Sequence, residues 1–442
     1  MVVMRLLYLS CALVQMFIYC YFGNKLTSKS EEFALGLFAS NWTDLSIKSK
    51  KKILFMITRS MKSVSISKLF YMVLSLDSFV NILRISYAVL NFMRRNLVVC
   101  QTAGLLLTRQ SFDEFNETFF VVLSTGFASF KGSCDLWNRA KIIRLVDMLS
   151  EPFCLARCQR ESAIQKTYDQ MGRKIEIIML CVVELAAVIF LFGPLINHSR
   201  ELPYKVLLPY DLNDTLIFSL SYVHQTFSCI LVTAGTMTNN ALIVGFMMQL
   251  CSQLDILKLR FRKASDKIKE QLEKEVASGK LSNRSSRQME VQIIRELAQH
   301  HLHAYNLAET LCDTFYGIIV GEFCINSLVI CVSVYKLSLN AGTIPEILFN
   351  ALYLVCVTGE FFVYCYFGNE ITYKSTTLFE AIAAIDWNPM SKEFKKNIIF
   401  IMSRASKPIF ISCGAYVYLT LESFMAVVKL SFSVFNVLKS TL

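Results

Sequence analysis

The chain is 442 residues long, 54% hydrophobic and only 18% charged. A soluble domain carries about 25% charged residues, so this balance excludes an ordinary soluble enzyme or binding module and implies a polytopic helical membrane protein. The net charge of +11 sits in segments between apolar runs, a distribution that sets membrane topology and argues against a nucleic-acid partner.

Crossing the hydrocarbon layer takes roughly 20 apolar residues. In chain order such runs lie at about 2–22, 64–93, 115–137, 176–197, 216–245, 311–335, 346–367 and 409–438. The first has Arg5 ahead of an apolar stretch, but Tyr19-Cys-Tyr-Phe22 lacks the small-residue cleavage pattern of a signal peptide, so it reads as a span. The segments between later runs differ sharply in charge. Eight Lys/Arg fall in 138–175, eleven in 252–309 and six in 369–408, against Arg200, Lys205 and Lys336 in the alternate loops. Basic loops stay in the cytoplasm, which puts 252–309 and 369–408 inside and the C-terminus outside.

The fifteen cysteines are scattered singly, many within apolar runs, and read as small buried hydrophobes in place of a disulfide framework. His300-His301-Leu-His303 is similar to one histidine box of a membrane di-iron enzyme. Such a site needs several boxes, and the remaining histidines are His198 and His224. No phosphate-binding glycine loop, HExxH or nucleophile elbow occurs. No enzyme, metal or cofactor is implied.

An internal repeat stands out. Residues 17–94, shifted by 345, align without a gap on 362–439 with 29 of 78 positions identical. Phe17-Ile-Tyr-Cys-Tyr-Phe-Gly-Asn24 matches Phe362-Val-Tyr-Cys-Tyr-Phe-Gly-Asn369, and Trp42 and Arg59 recur as Trp387 and Arg404. The period is too long for a solenoid and equals about one membrane domain. Residues 1–96 are therefore expected to be a duplicated C-terminal fragment joined to a second unit, 97–442, as in a fusion of two related genes.

A charge inside a span is costly and points to a packed interior or an aqueous path. Glu184, in Leu-Cys-Val-Val-Glu-Leu-Ala-Ala, is such a charge, with a ligand or gating role weighed against a structural hydrogen bond. Glu422 and Lys429 are seven apart on one helix face, too far for a direct pair.

Several stretches together resemble insect odorant receptors. Leu202-Pro-Tyr-Lys-Val-Leu-Leu-Pro-Tyr210 leads into Tyr222-Val-His-Gln225, like the family's second outer loop and fourth span. Met248-Gln-Leu-Cys-Ser-Gln-Leu-Asp-Ile-Leu-Lys258 resembles the cytoplasmic extension of that span. Tyr364-Cys-Tyr-Phe-Gly-Asn-Glu370 with Phe400-Ile-Met-Ser-Arg404 looks like the sixth span and inner loop. Leu421-Glu-Ser-Phe424 and Ser431-Phe-Ser-Val-Phe435 resemble the seventh.

That resemblance implies an all-α, polytopic transmembrane bundle, inverted relative to a G-protein-coupled receptor, with 97–442 lacking the first span. It implies an odorant receptor subunit in the plasma membrane of sensory neurons: a ligand-gated, non-selective cation channel working with a co-receptor subunit in a heterotetramer. The segments 252–309 and 369–408 would help form the anchor between subunits. The final span, about 30 residues and roughly 45 Å as one helix, would project its first half into the cytoplasm. Its second half would line the pore from Lys429 through Ser433 and Val437 to Thr441. Odorants are small and mostly apolar, so their pocket is expected to be aromatic. Phe119, Phe120, Phe190, Phe192, Tyr222, His224 and Phe227 in the outer halves of three spans are the candidates beside Glu184, each equally explained by core packing. The alternatives are a gustatory receptor of the same superfamily, which would carry a Thr-Tyr-hydrophobic-Gln-Phe-like signature that is missing here, or a non-functional fused product. Asn197 and Asn213 head glycosylation sequons on the expected outer face, and Asn41 and Asn283 head two on the inner face.

Overall fold

The structure is a computed structural model and describes residues 2–39, 46–60, 75, 77–78, 80–81, 112–196, 202–204, 212–277, 283–338, 344–387, 390–413 and 417–441. The chain divides into two compact units, Met1–Met93 and Arg94–Leu442.

The first unit holds α1 (Val2–Ala39) and α2 (Ile47–Ser60), so the expected span at 2–22 is the first half of α1. The span expected at 64–93 lies mostly outside the described residues. The second unit runs α3 (Phe112–Trp137), α4 (Arg139–Leu149), α5 (Gln159–Ile196), α6 (Thr215–Ala277), α7 (Asn283–Ser338), α8 (Ile344–Ala383) and α9 (Lys392–Ala405). A short hairpin, β1 (Ser412–Cys413) and β2 (Val417–Tyr418), and α10 (Leu421–Thr441) complete it. The 345-residue offset of the repeat carries α2 onto α9 residue for residue. Local detail is repeated as well. Thr27 Oγ1 donates to the Gly23 carbonyl at 3.1 Å, and Thr372 Oγ1 donates to the Gly368 carbonyl at 3.2 Å.

Stretches within α5, α6, α7 and α8 are long and apolar enough to cross a membrane. At 1.5 Å per residue the 63 residues of α6 extend about 95 Å and the 56 of α7 about 84 Å, far beyond the hydrocarbon. The basic segment 252–309 is therefore two rods continuing the spans, with residues 278–282 outside the described set. The sequence explains why these rods pair. Ile243, Met247, Leu250, Leu254, Leu257, Phe261, Ala264 and Ile268 are buried at alternating spacings of three and four, and Ile294, Leu297, Ala304, Leu307, Leu311, Phe315 and Ile318 are buried on α7 at spacings of three, four or seven. This is the apolar seam that two packed helices need. α8 lies at the centre, packed on α5, α6, α7, α9 and α10.

The final span departs from expectation. It is helical only from Leu421, 21 residues or about 32 Å, so it does not begin with a helical cytoplasmic half. Pro408 cannot continue the preceding hydrogen-bond pattern. The chain instead runs extended to the β1–β2 hairpin, where Ser412 faces Tyr418 and Cys413 faces Val417. Gly368 makes this possible, because a β-carbon there would collide with the backbone and side chain of Leu419. Ser375 Oγ accepts from the Ile409 amide at 2.8 Å, and Thr372 Oγ1 donates to the Ile409 carbonyl at 3.0 Å.

Candidate functional site

Five helices, α3, α5, α6, α7 and α8, line a partly open cavity of about 190 Å³ in the second unit. At one end the short segment 202–204 folds over α6. The Tyr204 amide donates to Gln225 Oε1 at 2.9 Å, and Gln225 Nε2 returns a bond to the Tyr204 carbonyl at 3.2 Å. Gln225 is buried, so its amide needs such partners, and the result is a fixed aromatic roof. Phe190 packs on Tyr204 at 5.1 Å and on Phe349 at 4.9 Å, and Phe349 on Tyr353 at 5.8 Å. Tyr353 OH and Ser124 Oγ lie 2.8 Å apart.

The other end is polar. Lys131 of α3 forms ion pairs with Glu322 of α7 and, at 2.8 Å, with Glu360 of α8. Its third proton reaches Asn240 Oδ1 at 3.0 Å, which also accepts from Tyr364 OH at 3.1 Å. Lys131 Nζ stands 4.9 Å from the Phe127 ring centroid, a cation–π distance. The Lys131 and Glu322 side chains are each 3% exposed and that of Glu360 is 13%. Charges this deep persist only when paired. Gly321 admits the Phe127 ring, which a β-carbon would strike.

Of the residues expected at a pocket, Phe190 lines the cavity. Glu184 adjoins it, accepting from Thr233 Oγ1 at 3.1 Å, and Thr233 is part of the wall. Tyr222 fastens α6 to α5 through the Leu191 carbonyl. Phe192, Phe227 and Phe119, at 43%, 42% and 37% exposure, and the exposed His224 do not line the cavity. The Phe120 side chain is outside the described residues. Lys429 and Ser433 are exposed on α10, with Ser433 Oγ donating to the Lys429 carbonyl at 2.9 Å; the side chains of Val437 and Thr441 are outside the described residues.

Lys131, Glu322, Glu360, Tyr204, Phe349 and Tyr353 escaped the sequence reading. The first three were within its reach, being charges inside the runs 115–137, 311–335 and 346–367, found by the test that singled out Glu184. Their mutual pairing was not, because it joins positions far apart in the chain.

A second polar cluster ties the segment 148–161 to α6 and α7. Arg260 donates to Glu161 Oε2 and to the Leu155 carbonyl, both at 2.8 Å, and lies 3.3 Å from His300 Nδ1. Gln253 Nε2 donates to the Cys154 carbonyl at 3.1 Å and Gln253 Oε1 is 3.0 Å from His300 Nε2. His303 reaches the Met148 carbonyl at 2.8 Å. These contacts make the histidine cluster part of the packing. Among the described residues no group of three or more His, Cys, Asp or Glu is placed to hold a metal ion. In the connecting segment, burial pushes the Cys154 thiol up to about 11, and a hydrogen bond from Lys263 Nζ at 2.8 Å lowers the Cys158 thiol.

Comparison with known proteins gives a consistent result. The family model described as 7tm Odorant receptor matches residues 1–87 and 111–432. Odorant receptor 92a of Drosophila melanogaster is 23% identical over 80% of the chain and 87% of its own length. Odorant receptor Or1 of Anopheles gambiae is 22% identical over 60% of the chain and 66% of its own length. Among solved structures, the insect olfactory receptor OR5 of Machilis hrabei in complex with eugenol superposes with a TM-score of 0.68. That match has 14% identity and covers 80% of this chain and 88% of that one, an agreement of fold.

Proposed function

The chain belongs to the odorant receptor family, and from that premise we propose that it is an odour-gated, non-selective cation-channel subunit working with a co-receptor in the plasma membrane of sensory neurons. The observation that carries this reading is the aromatic-roofed cavity whose polar floor adjoins the last helix. Glu322 and Glu360 immediately precede Phe323 and Phe361, whose rings meet edge-to-face at 4.8 Å. Phe361 packs on Phe424 of α10 at 5.7 Å, and Ser431 Oγ of α10 donates to the Ser327 carbonyl at 3.3 Å. A ligand pressing on the floor thereby bears on α10, the helix given the pore-lining role with Lys429, Ser433, Val437 and Thr441. Its effect on opening equals its preference for the open arrangement.

The pocket is assigned to Phe190, Tyr204, Phe349 and Tyr353, with Glu184 supporting the wall through Thr233. Residues 1–96 are read as a duplicated C-terminal receptor fragment joined to a receptor lacking its first span. The repeat of α8–α9 in α1–α2 and the separate family match over 1–87 support that reading. It also favours the second reading, a fused product without channel activity.

The experiment is co-expression with the co-receptor and recording of odorant-evoked current. Current lost in Ala187→Phe, which fills the cavity at a buried lining position, is the expected result. Silence that persists after 1–96 is removed and a first span restored refutes the channel reading. One long-read transcript decides whether 1–96 belongs to the protein.

A further inference from the structure

The cavity's charge balance specifies a ligand chemistry. Over the stretches 119–137, 177–196, 215–250, 311–335 and 346–367 of the five lining helices, Lys131 is the one lysine or arginine. Against it stand Asp135, Glu184, Glu322 and Glu360, with Asp313 and Glu346 near span ends. Asp135 accepts from Asn239 and Glu184 from Thr233. At the floor, one ammonium faces two carboxylates. An ammonium has three protons to donate, and all three of Lys131 are engaged, by Glu322, Glu360 and Asn240. Glu322 is enclosed and also accepts from Asn326 Nδ2 at 2.7 Å. Glu360 is the more open of the two carboxylates, and it lines the cavity.

We propose that the cavity selects small apolar amines, with the ligand ammonium docked against Glu360 and the hydrocarbon body under the Phe190–Tyr204–Phe349 roof. The incoming ammonium gives Glu360, the more open carboxylate, a second cationic donor beside Lys131. A charge-assisted bond to a carboxylate as buried as Glu360 is stronger than the neutral bond an alcohol can offer. The aromatic walls favour a cation as well, whereas a carboxylate ligand meets like charge. This proposal rests on the reading of the cavity as the ligand site.

The test titrates the detergent-purified full-length chain with hexylamine, hexanol and hexanoic acid, following the thermal unfolding midpoint. The proteins compared are the unaltered chain, Glu360→Gln, Glu322→Gln and Ala187→Phe. Either glutamine variant leaves Lys131 with one carboxylate, and if one fails to fold the other carries the test. Hexylamine is expected to bind at least about tenfold tighter than hexanol, and the preference to fall to about twofold or less in the glutamine variants. Hexanoic acid is expected not to bind, and Ala187→Phe to bind none of the three. Equal binding of hexylamine and hexanol, both abolished by Ala187→Phe, overturns the amine proposal while the cavity stands. An amine preference that survives both glutamine variants overturns it too. Binding of neither molecule, or binding untouched by Ala187→Phe, overturns the cavity reading and the proposal with it.

Discussion

Replacing Lys131 by Met tests whether the buried charge cluster holds the helices together. The change keeps a long apolar stem but removes the ammonium that bridges α3 to α7 and α8. Two carboxylates then remain side by side with no cation, and Asn240 Oδ1 loses one of its two donors. Stripping one partner from a buried ion pair costs about 3–5 kcal/mol. At roughly 2.1 cal/mol/K of unfolding entropy per residue over some 350 residues, 4 kcal/mol lowers the unfolding midpoint by about 5 °C. The assay is fluorescence-detected unfolding of the purified chain in detergent. Removing the stranded carboxylates as well, in the triple variant Lys131→Met, Glu322→Gln, Glu360→Gln, should restore most of the loss. A Lys131→Met midpoint within about 1 °C of the unaltered chain, or a triple variant less stable than the single one, refutes the claim that mutual charge satisfaction holds the floor.

Three further outcomes follow from other contacts. Gly321→Ala places a β-carbon where the Phe127 ring lies; overpacking of this kind costs about 1–3 kcal/mol, read in the same unfolding assay, and moves the ring from beneath Lys131. Arg260→Ala leaves the buried Glu161 without its guanidinium, a loss of about 3–5 kcal/mol, and should make 150–158 the first site of limited proteolysis. Cys158 should react with a membrane-impermeant maleimide only after permeabilisation, and far faster than Cys154. Its thiol is lowered by Lys263, so more thiolate is present near neutrality, whereas the Cys154 thiol is raised to about 11. Labelling of Cys158 in intact cells, compared with Cys158→Ser, would reverse the topology.

Hydrocarbon-length apolar runs were sufficient to place helices and the all-α class, because insertion depends on local composition. The gap-free match of 17–94 to 362–439 was also plain text, and α2 and α9 answer to it residue for residue. The end of the last helix was not legible. A run of apolar residues after Pro408 suits strand and helix equally, and only the approach of Leu419 to Gly368 decides for the hairpin. Aromatic residues on the outer half-spans were visible, but not which of them turn inward. Phe190 lines the cavity while Phe192, two residues on, is exposed, since two helical positions apart is about half a turn.

What composition and periodicity decided alone is that this chain crosses a membrane as helices and which of its segments are basic. What only the packed structure decided is that residues 131, 322 and 360, drawn from three helices, meet as one charge cluster under an aromatic roof. Membrane insertion responds to the residues of one segment at a time, whereas a buried charge is tolerated only where another helix brings its partner, and no local pattern records that meeting.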